Sequence, residues 1–264
     1  MTTRTSTHGD TTLPTDQEIR SYVPGAGLLE DRVILVTGAG GGLGSALATS
    51  CAALGARVIL CGRTVRKLEA VYDSIMAAGG PRPSIAPLDF ERADATHYGA
   101  LADGVRNEFG RLDGLVHGAA VLGERAPVEH YDVVTWLKVM HVNVNAAFIL
   151  TRALLPLLRA STDASVVFVT SGVSVQGRAY WGAYAASKFA VEGLMQVLAD
   201  ETDTATSIRV NSVNPGPMRT AMRAKAYPGE DPASVPEPGS ALAPFLYLLG
   251  QDGRGITGRR FDAR

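Results

Sequence analysis

Beyond residue 28 the chain alternates short runs of consecutive apolar residues with longer stretches whose apolar positions recur at helical spacing. The short runs are RVILVTG (32–38), ARVILCGR (56–63), a weaker PSIAPLD (83–89), LDGLVHGAA (112–120), ASVVFVTSG (164–172) and SIRVNSVNPG (207–216). Each predicts a strand. Between them, 43–54, 65–78, 93–109, 131–160 and 182–203 predict helices. Strands that are apolar throughout, without polar alternation, belong to a sheet covered on both faces, as in parallel sheets whose strands are separated by helices. The pattern therefore predicts an α/β fold, a doubly wound parallel sheet.

No linker interrupts this alternation, so residues 28–264 form one predicted domain. Residues 1–27 are Thr-rich and polar, lack the apolar core of a secretory signal, and are expected to be a flexible leader. A leader that folds over a neighbouring subunit is the alternative. The stretch 217–240 is rich in Pro, Ala and charge, the texture of either a lid over a binding site or a disordered connection. A last helix at 240–250 leads to GITGRRFDAR, a candidate edge strand.

Charge excludes some functions. With 25 Lys+Arg against 26 Asp+Glu, nothing favours nucleic acid or an anionic membrane as partner. No run is read as long enough to span a membrane. Cys51 and Cys61 fall in adjacent core elements, which favours a reducing, cytoplasmic setting, and with five scattered histidines they suggest no metal site.

TGAGGGLG (37–44) joins the first strand to the first helix. Gly38, Gly42 and Gly44 there would let the backbone turn tightly and approach a pyrophosphate at a helix N-terminus. Glycines alone also make plain turns; the strand–turn–helix context favours a nucleotide. The second strand ends in Cys61-Gly62-Arg63, where NAD-binding folds place a carboxylate on the ribose about 20 residues past the glycine turn. Arg63 instead offers a planar fork for a 2′-phosphate, favouring NADP(H) over NAD(H), unless it is a solvated strand-end residue. Asp89 could meet the adenine or cap the next helix. In YAASK (184–188), Tyr184 and Lys188 are four residues apart and share one helical face.

Taken in order, TGAGGGLG, NVNAAF (143–148), TSG (170–172), YAASK and NPGPMRT (214–220) resemble the short-chain dehydrogenase/reductase family over residues 29–262. Within it, VNVNAAFILTRALLPLL and GRAYWGAYAASKFAVEGLMQVLADE look like uncharacterised bacterial oxidoreductases of the YciK type. The resemblance implies a Rossmann-type fold and an oxidoreductase that moves hydride between nicotinamide and a small carbonyl or alcohol substrate. It implies Tyr184 as general acid/base, Ser171 orienting the carbonyl, Lys188 on the nicotinamide ribose and Asn143 anchoring a relay water. It further implies cofactor contacts at Gly38, Gly42, Leu43, Gly44, Arg63, Asp89, Phe90, Ala119, Pro215, Gly216 and Thr220. Homodimers or homotetramers built on 131–160 and 182–203 are common in the family.

The physical chemistry of the pair is compatible. Lowering a phenol from about 10 by about three units takes about 4 kcal/mol. One positive charge at about 5 Å and an effective dielectric near 20 supplies about 3 kcal/mol, so Lys188 with an oxidised nicotinamide is expected to suffice. Two departures stand out. HGAA (117–120) replaces the Asn-Asn-Ala-Gly frequent after the fourth strand, and Gly41 replaces a second basic residue, leaving Arg63 to discriminate, helped by Arg66 or Lys67. The pocket is expected to be roofed by 217–240 and floored by VLGERAPVEHY, with Tyr180 and Trp181 as an aromatic wall. Alternatives are an NAD-dependent alcohol dehydrogenase and a non-catalytic NADP-binding redox sensor.

Overall fold

The computed structural model describes residues 14–202 and 207–264. Seven strands, β1 (Val33–Thr37), β2 (Arg57–Gly62), β3 (Ser84–Pro87), β4 (Gly114–His117), β5 (Ala164–Val169), β6 (Ile208–Asn214) and β7 (Arg260–Asp262), form one parallel sheet in the order β3-β2-β1-β4-β5-β6-β7. The doubly wound sheet expected from the apolar runs is what forms. Alternate residues of β1 serve opposite faces. Ile34 and Val36 pack with α2 (Gly42–Ala53), α3 (Val65–Ala77) and α9 (Ala243–Leu249), whereas Val33 and Leu35 pack with α4 (Ala95–Phe109), α6 (Ala146–Arg159) and α7 (Gly182–Thr202). Cys51 and Cys61 are free and buried on these two different sides.

The order reverses direction between β1 and β4, where the chain returns from the β3 edge to the other side of β1. Ligands bind at the carboxyl ends of strands at such a switch point, because the loops there diverge and open a crevice.

Helix α5 (Val133–Met140) runs into α6 through a π-helical turn, His141–Asn145. The continuous helix Val133–Arg159 has 27 residues and contains an 18-residue window of mean hydropathy 1.4, so that, contrary to the sequence expectation, it is by length and composition long and apolar enough to cross a membrane. In the fold, Leu150, Leu154, Leu157 and Leu158 fill the core beneath the sheet.

The segment 217–240 is ordered, with helix α8 (Ala221–Ala226) and two 3-10 turns. The expected leader also differs. Part of it is anchored: Thr15 and Glu18 form a capping box for α1 (Asp16–Arg20), and Ile19 is 1% exposed within the core, while most other residues of 14–27 are exposed. Arg20 donates to the Asp262 carbonyl (2.7 Å) and Tyr22 to the Asp252 carboxylate (2.6 Å). A single apolar residue inside a polar stretch anchors this helix, a signal too sparse for periodicity to register. Residues 1–13 of that leader lie outside the described residues.

At the amino-terminal edge of the sheet, remote from the switch-point crevice, Asp163 takes Arg32 (3.2 Å), Arg209 (3.0 Å) and Arg254 (3.1 Å). Arg209 also donates to the carbonyls of Leu248 (2.7 Å), Gly253 (2.9 Å) and Gly250 (3.2 Å), closing the end of α9.

Candidate active site

The crevice at the switch point is a cleft of about 790 Å³. Gly38, Gly42, Leu43, Gly44, Arg63, Asp89, Phe90, Ala119, Ser171, Tyr184, Lys188, Pro215, Gly216 and Thr220 all line it. Of the residues singled out in the sequence as site residues, Asn143 alone does not.

The glycine turn is built by close approach. A Cβ on Gly44 would stand 2.2 Å from the Gly38 carbonyl oxygen, so only hydrogen lets α2 begin this near β1. Gly38 has φ 72°, and a Cβ there would lie 3.0 Å from the Ala119 nitrogen. Across this contact the Thr37 hydroxyl accepts from the Gly118 (3.0 Å) and Ala119 (3.1 Å) N–H groups and donates to the Val116 carbonyl (3.1 Å). Thr37 thus ties the end of β1 to the turn after β4 without any side chain at Gly118. His117 is buried, stacks on Phe168 at 4.7 Å and meets the Thr151 hydroxyl at 2.8 Å. Burial, with Lys188 nearby, lowers its pKa to about 3, so it is a neutral packed residue.

Arg63 ends β2 with its side chain 63% exposed and only a distant 3.9 Å approach to Glu91, which is taken by Lys138 at 2.7 Å. Lys67 joins it on the cleft wall; Arg66 does not. Asp89 lines the cleft and accepts from the Glu91 N–H (3.1 Å) in the turn after β3; it does not cap the next helix, because the N-cap of α4 is Asp94.

Tyr184 and Lys188 sit on α7 with Ser171 at the end of β5. Tyr184 is 9% exposed, and Lys188 lies with Nζ 5.7 Å from its ring centroid. Lys188 donates to the Val169 carbonyl at 2.7 Å. Burial pushes the Tyr184 phenol up to about 12, with a Ser171 hydrogen bond pulling the other way. Burial also lowers Lys188 to about 8, opposed by Glu192. In the protein alone burial sets the phenol high and Lys188 is committed to a carbonyl; the expected lowering joins Lys188 to an oxidised nicotinamide.

Asn143 lies in the π-helical turn. Its Oδ1 accepts from Val121 N–H (2.8 Å), and Nδ2 donates to the Val121 carbonyl (3.0 Å) and Ser187 hydroxyl (3.0 Å). It ties the loop after β4 to α7 rather than facing the cleft. Beside it, a cavity of about 10 Å³, lined by Thr37, His117, Asn143 and Lys188 among others, is about the size of one water.

Two supporting residues went unseen in the sequence. Glu192, one helical turn past Lys188, is buried and takes hydroxyls from Ser174 (3.0 Å) and Ser212 (2.7 Å), with Arg260 at 3.2 Å. The i+4 spacing from Lys188 was its only signal. Asn214 fixes the Pro215-Gly216 turn by accepting from Gly216 N–H (3.1 Å). Of the expected aromatic wall, Trp181 lines the cleft and Tyr180 does not; Val121 and Leu122 supply the floor, and the roof is limited to residues between Pro217 and Tyr227.

Residues 32–231 match the family described as short chain dehydrogenase. The Uncharacterized oxidoreductase YciK of Escherichia coli K12 is 48% identical over 243 residues, 92% of this chain and 96% of that protein. A solved short chain dehydrogenase structure from Shigella flexneri 2a, complexed with NADP, superposes with a TM-score of 0.88 at 47% identity, covering 90% of this chain and 99% of that one. Another from Escherichia coli CFT073, complexed with NADPH, gives 0.89 at 48% identity over 91% of this chain and 100% of that one.

Proposed function

Because the chain belongs to the short chain dehydrogenase family, oxidoreductases of alcohol and carbonyl groups that use NAD(P), we propose that it is an NADP-dependent carbonyl reductase with Tyr184 as its proton donor. The observation behind this reading is that Ser171, Tyr184 and Lys188 share one cleft with the glycine turn and Arg63. The solved relatives complexed with NADP and NADPH support the choice of cofactor.

The chain's residues fit such a cofactor. The glycine turn gives the pyrophosphate a helix N-terminus and close backbone approach. Arg63 and Lys67 would receive the 2′-phosphate, and Lys188 the nicotinamide ribose. Bound there, the nicotinamide supplies the hydride. Ser171 orients the carbonyl and stabilises the developing oxygen charge. Tyr184, a phenol protonated at neutral pH and pushed further up by burial, gives its proton to that oxygen as the carbonyl carbon is reduced, and the product is the alcohol. Reduction as the working direction is part of this proposal. The Asn143 side chain holds the loop after β4 against α7, and the water-sized cavity that Asn143 and Lys188 line is the place for a relay water.

Titration with NADPH and NADH, followed by oxidation of the bound cofactor across a carbonyl panel, tests the reading. Preference for NADH would redirect it to an NAD-dependent alcohol dehydrogenase; binding with no carbonyl reduced would make it a redox-sensing binding protein. Arg63→Asp should weaken NADPH binding about 10- to 100-fold, as loss of a charge-assisted phosphate contact does, and leave NADH less affected. Unchanged NADPH affinity in that variant would remove the phosphate contact.

Homo-oligomers belong to the same proposal. Val133, Val134, Leu137 and Phe148 on α5 and α6, with Phe189 and Val197 on α7, are exposed apolar side chains on the helices expected to pair. Light scattering at the mass of a single chain would remove it. A cytoplasmic location is likewise our reading, supported by two buried free thiols.

A further inference from the structure

The cleft is chemically lopsided. Its acidic lining residues are Asp89 and Glu91, both following β3 at the Arg63 end. Beyond Tyr184 the other end is apolar: Leu122, Val173, Trp181, Met222 and Tyr227 cluster with the Tyr184 ring. Trp181 stands 5.8 Å from Tyr184 and 6.0 Å from Tyr227, the rings tilted by 54° and 46°, so a shelf of inclined aromatic rings leads away from the phenol. An apolar shelf of this kind takes a flat hydrocarbon or aromatic body.

Three arginines surround that shelf, and they are not equivalent. Arg223 is neutralised by Glu230 through two contacts (2.6 and 2.5 Å) and lies on the Tyr227 ring at 3.8 Å. Arg125 is stacked 5.1 Å from both Trp181 and Tyr227 and donates to the Ala226 carbonyl. Its charge remains uncompensated by any carboxylate among the described residues, but its guanidinium is occupied. Arg178 lines the cleft, and its guanidinium has no hydrogen bond or ion pair among the described residues. Its side chain is exposed, but its backbone is set: the Arg178 carbonyl accepts from the Trp181 N–H (3.2 Å), and Tyr180 between them holds a left-handed φ of 71°. A bulky residue in that region is rare and persists only where its surroundings impose it.

Resting on the reductase reading, we propose that the substrate is an oxo acid: a carbonyl compound with an apolar or aromatic body and a carboxylate remote from the reacting carbon, which Arg178 receives. A guanidinium presents a planar fork that matches a carboxylate in two parallel hydrogen bonds. Arg125 behind the shelf adds positive potential, and no acidic residue lines this end to oppose it. A cationic substrate is repelled by the same groups.

The test compares aryl oxo acids of graded chain length with their methyl esters, using purified enzyme and NADPH. The acid is expected to exceed its ester in kcat/KM by about 10- to 100-fold, the range of a hydrogen-bonded charge pair. Arg178→Met should close that gap through the KM of the acid, and Arg178→Lys should restore part of it. An ester reduced as well as its acid, or a preference that survives Arg178→Met, overturns the proposal and leaves the reductase reading intact. If no carbonyl of any kind is reduced, the reductase reading fails instead. Calorimetry on NADPH-loaded Tyr184→Phe enzyme then decides the arginine site separately: acid binding lost on adding Arg178→Met supports it, and equal binding of acid and ester refutes it.

Discussion

Tyr184→Phe is expected to lower carbonyl reduction about a hundred- to ten-thousand-fold, the range for removing a positioned general acid, while NADPH binds as before. The substitution deletes one oxygen and keeps the ring, so its contacts with Trp181 and the apolar cluster persist. Loss should appear in kcat and kcat/KM together, since the proton is transferred only in the transition state. Fluorescence titration of NADPH provides the control. Residual activity near that of the unaltered enzyme would remove Tyr184 from the acid role. The pH profile gives a second view: with Tyr184 at about 12 and Lys188 at about 8, reduction should persist through neutral pH and fall as Lys188 loses its charge on the alkaline side.

The largest stability effect is expected far from the cleft, at Asp163. Asp163→Ala leaves Arg32 and Arg209, with side chains 14% and 8% exposed, without their shared carboxylate. Removing one partner from a buried ion pair costs about 3–5 kcal/mol because the remaining charge is left desolvated. In a chain of this size that lowers Tm by about 6–20 °C, readable by calorimetry. Arg254 is largely exposed and can rehydrate, which places the effect at the lower end of this range. Burial works to raise the Asp163 pKa, and Arg209, Arg254 and Arg32 together reverse this, leaving it lowered. A carboxyl with a depressed folded pKa contributes stability above its unfolded value, about 3.9, and loses it as pH falls through the folded one. Acidification below about pH 4 should therefore cost the unaltered protein more than the variant. A variant that melts within about 2 °C of the parent would show that the cluster holds little.

The contrast between these two sites explains what could be read from sequence. Strands β1 and β4 are buried at every residue and β2 and β5 at all but one, so each appears as a largely apolar run, whereas β6 also buries polar residues such as Asn211 and Ser212. β3 is only half-buried, and its run is correspondingly weak. Tyr184 and Lys188 are legible because one helical turn links them. Asp163 and Arg254 are 91 positions apart, and no local pattern predicts their meeting. Spacing reveals Lys188 beside the phenol, whereas the desolvation that raises the phenol depends on the whole enclosure. Asn143 falls within the helix expected at 131–160, but the π-helical turn that aims its side chain at Val121 leaves no periodic trace.

Residues 14–27 are more than a leader in one further respect. β7 has three residues and is the last strand of the sheet, with β6 on one side only. Unpaired strand edges are templates for another chain to add to, and proteins protect them with short strands, charges or a covering element. Here all three occur, since Arg260 and Asp262 pair with each other on β7 while α1 packs over it and Arg20 takes the Asp262 carbonyl. A chain shortened to begin at residue 28 would keep its whole catalytic cleft and expose this border. Its characteristic failure would be concentration-dependent edge-to-edge aggregation, with the chemistry intact in whatever remained dispersed.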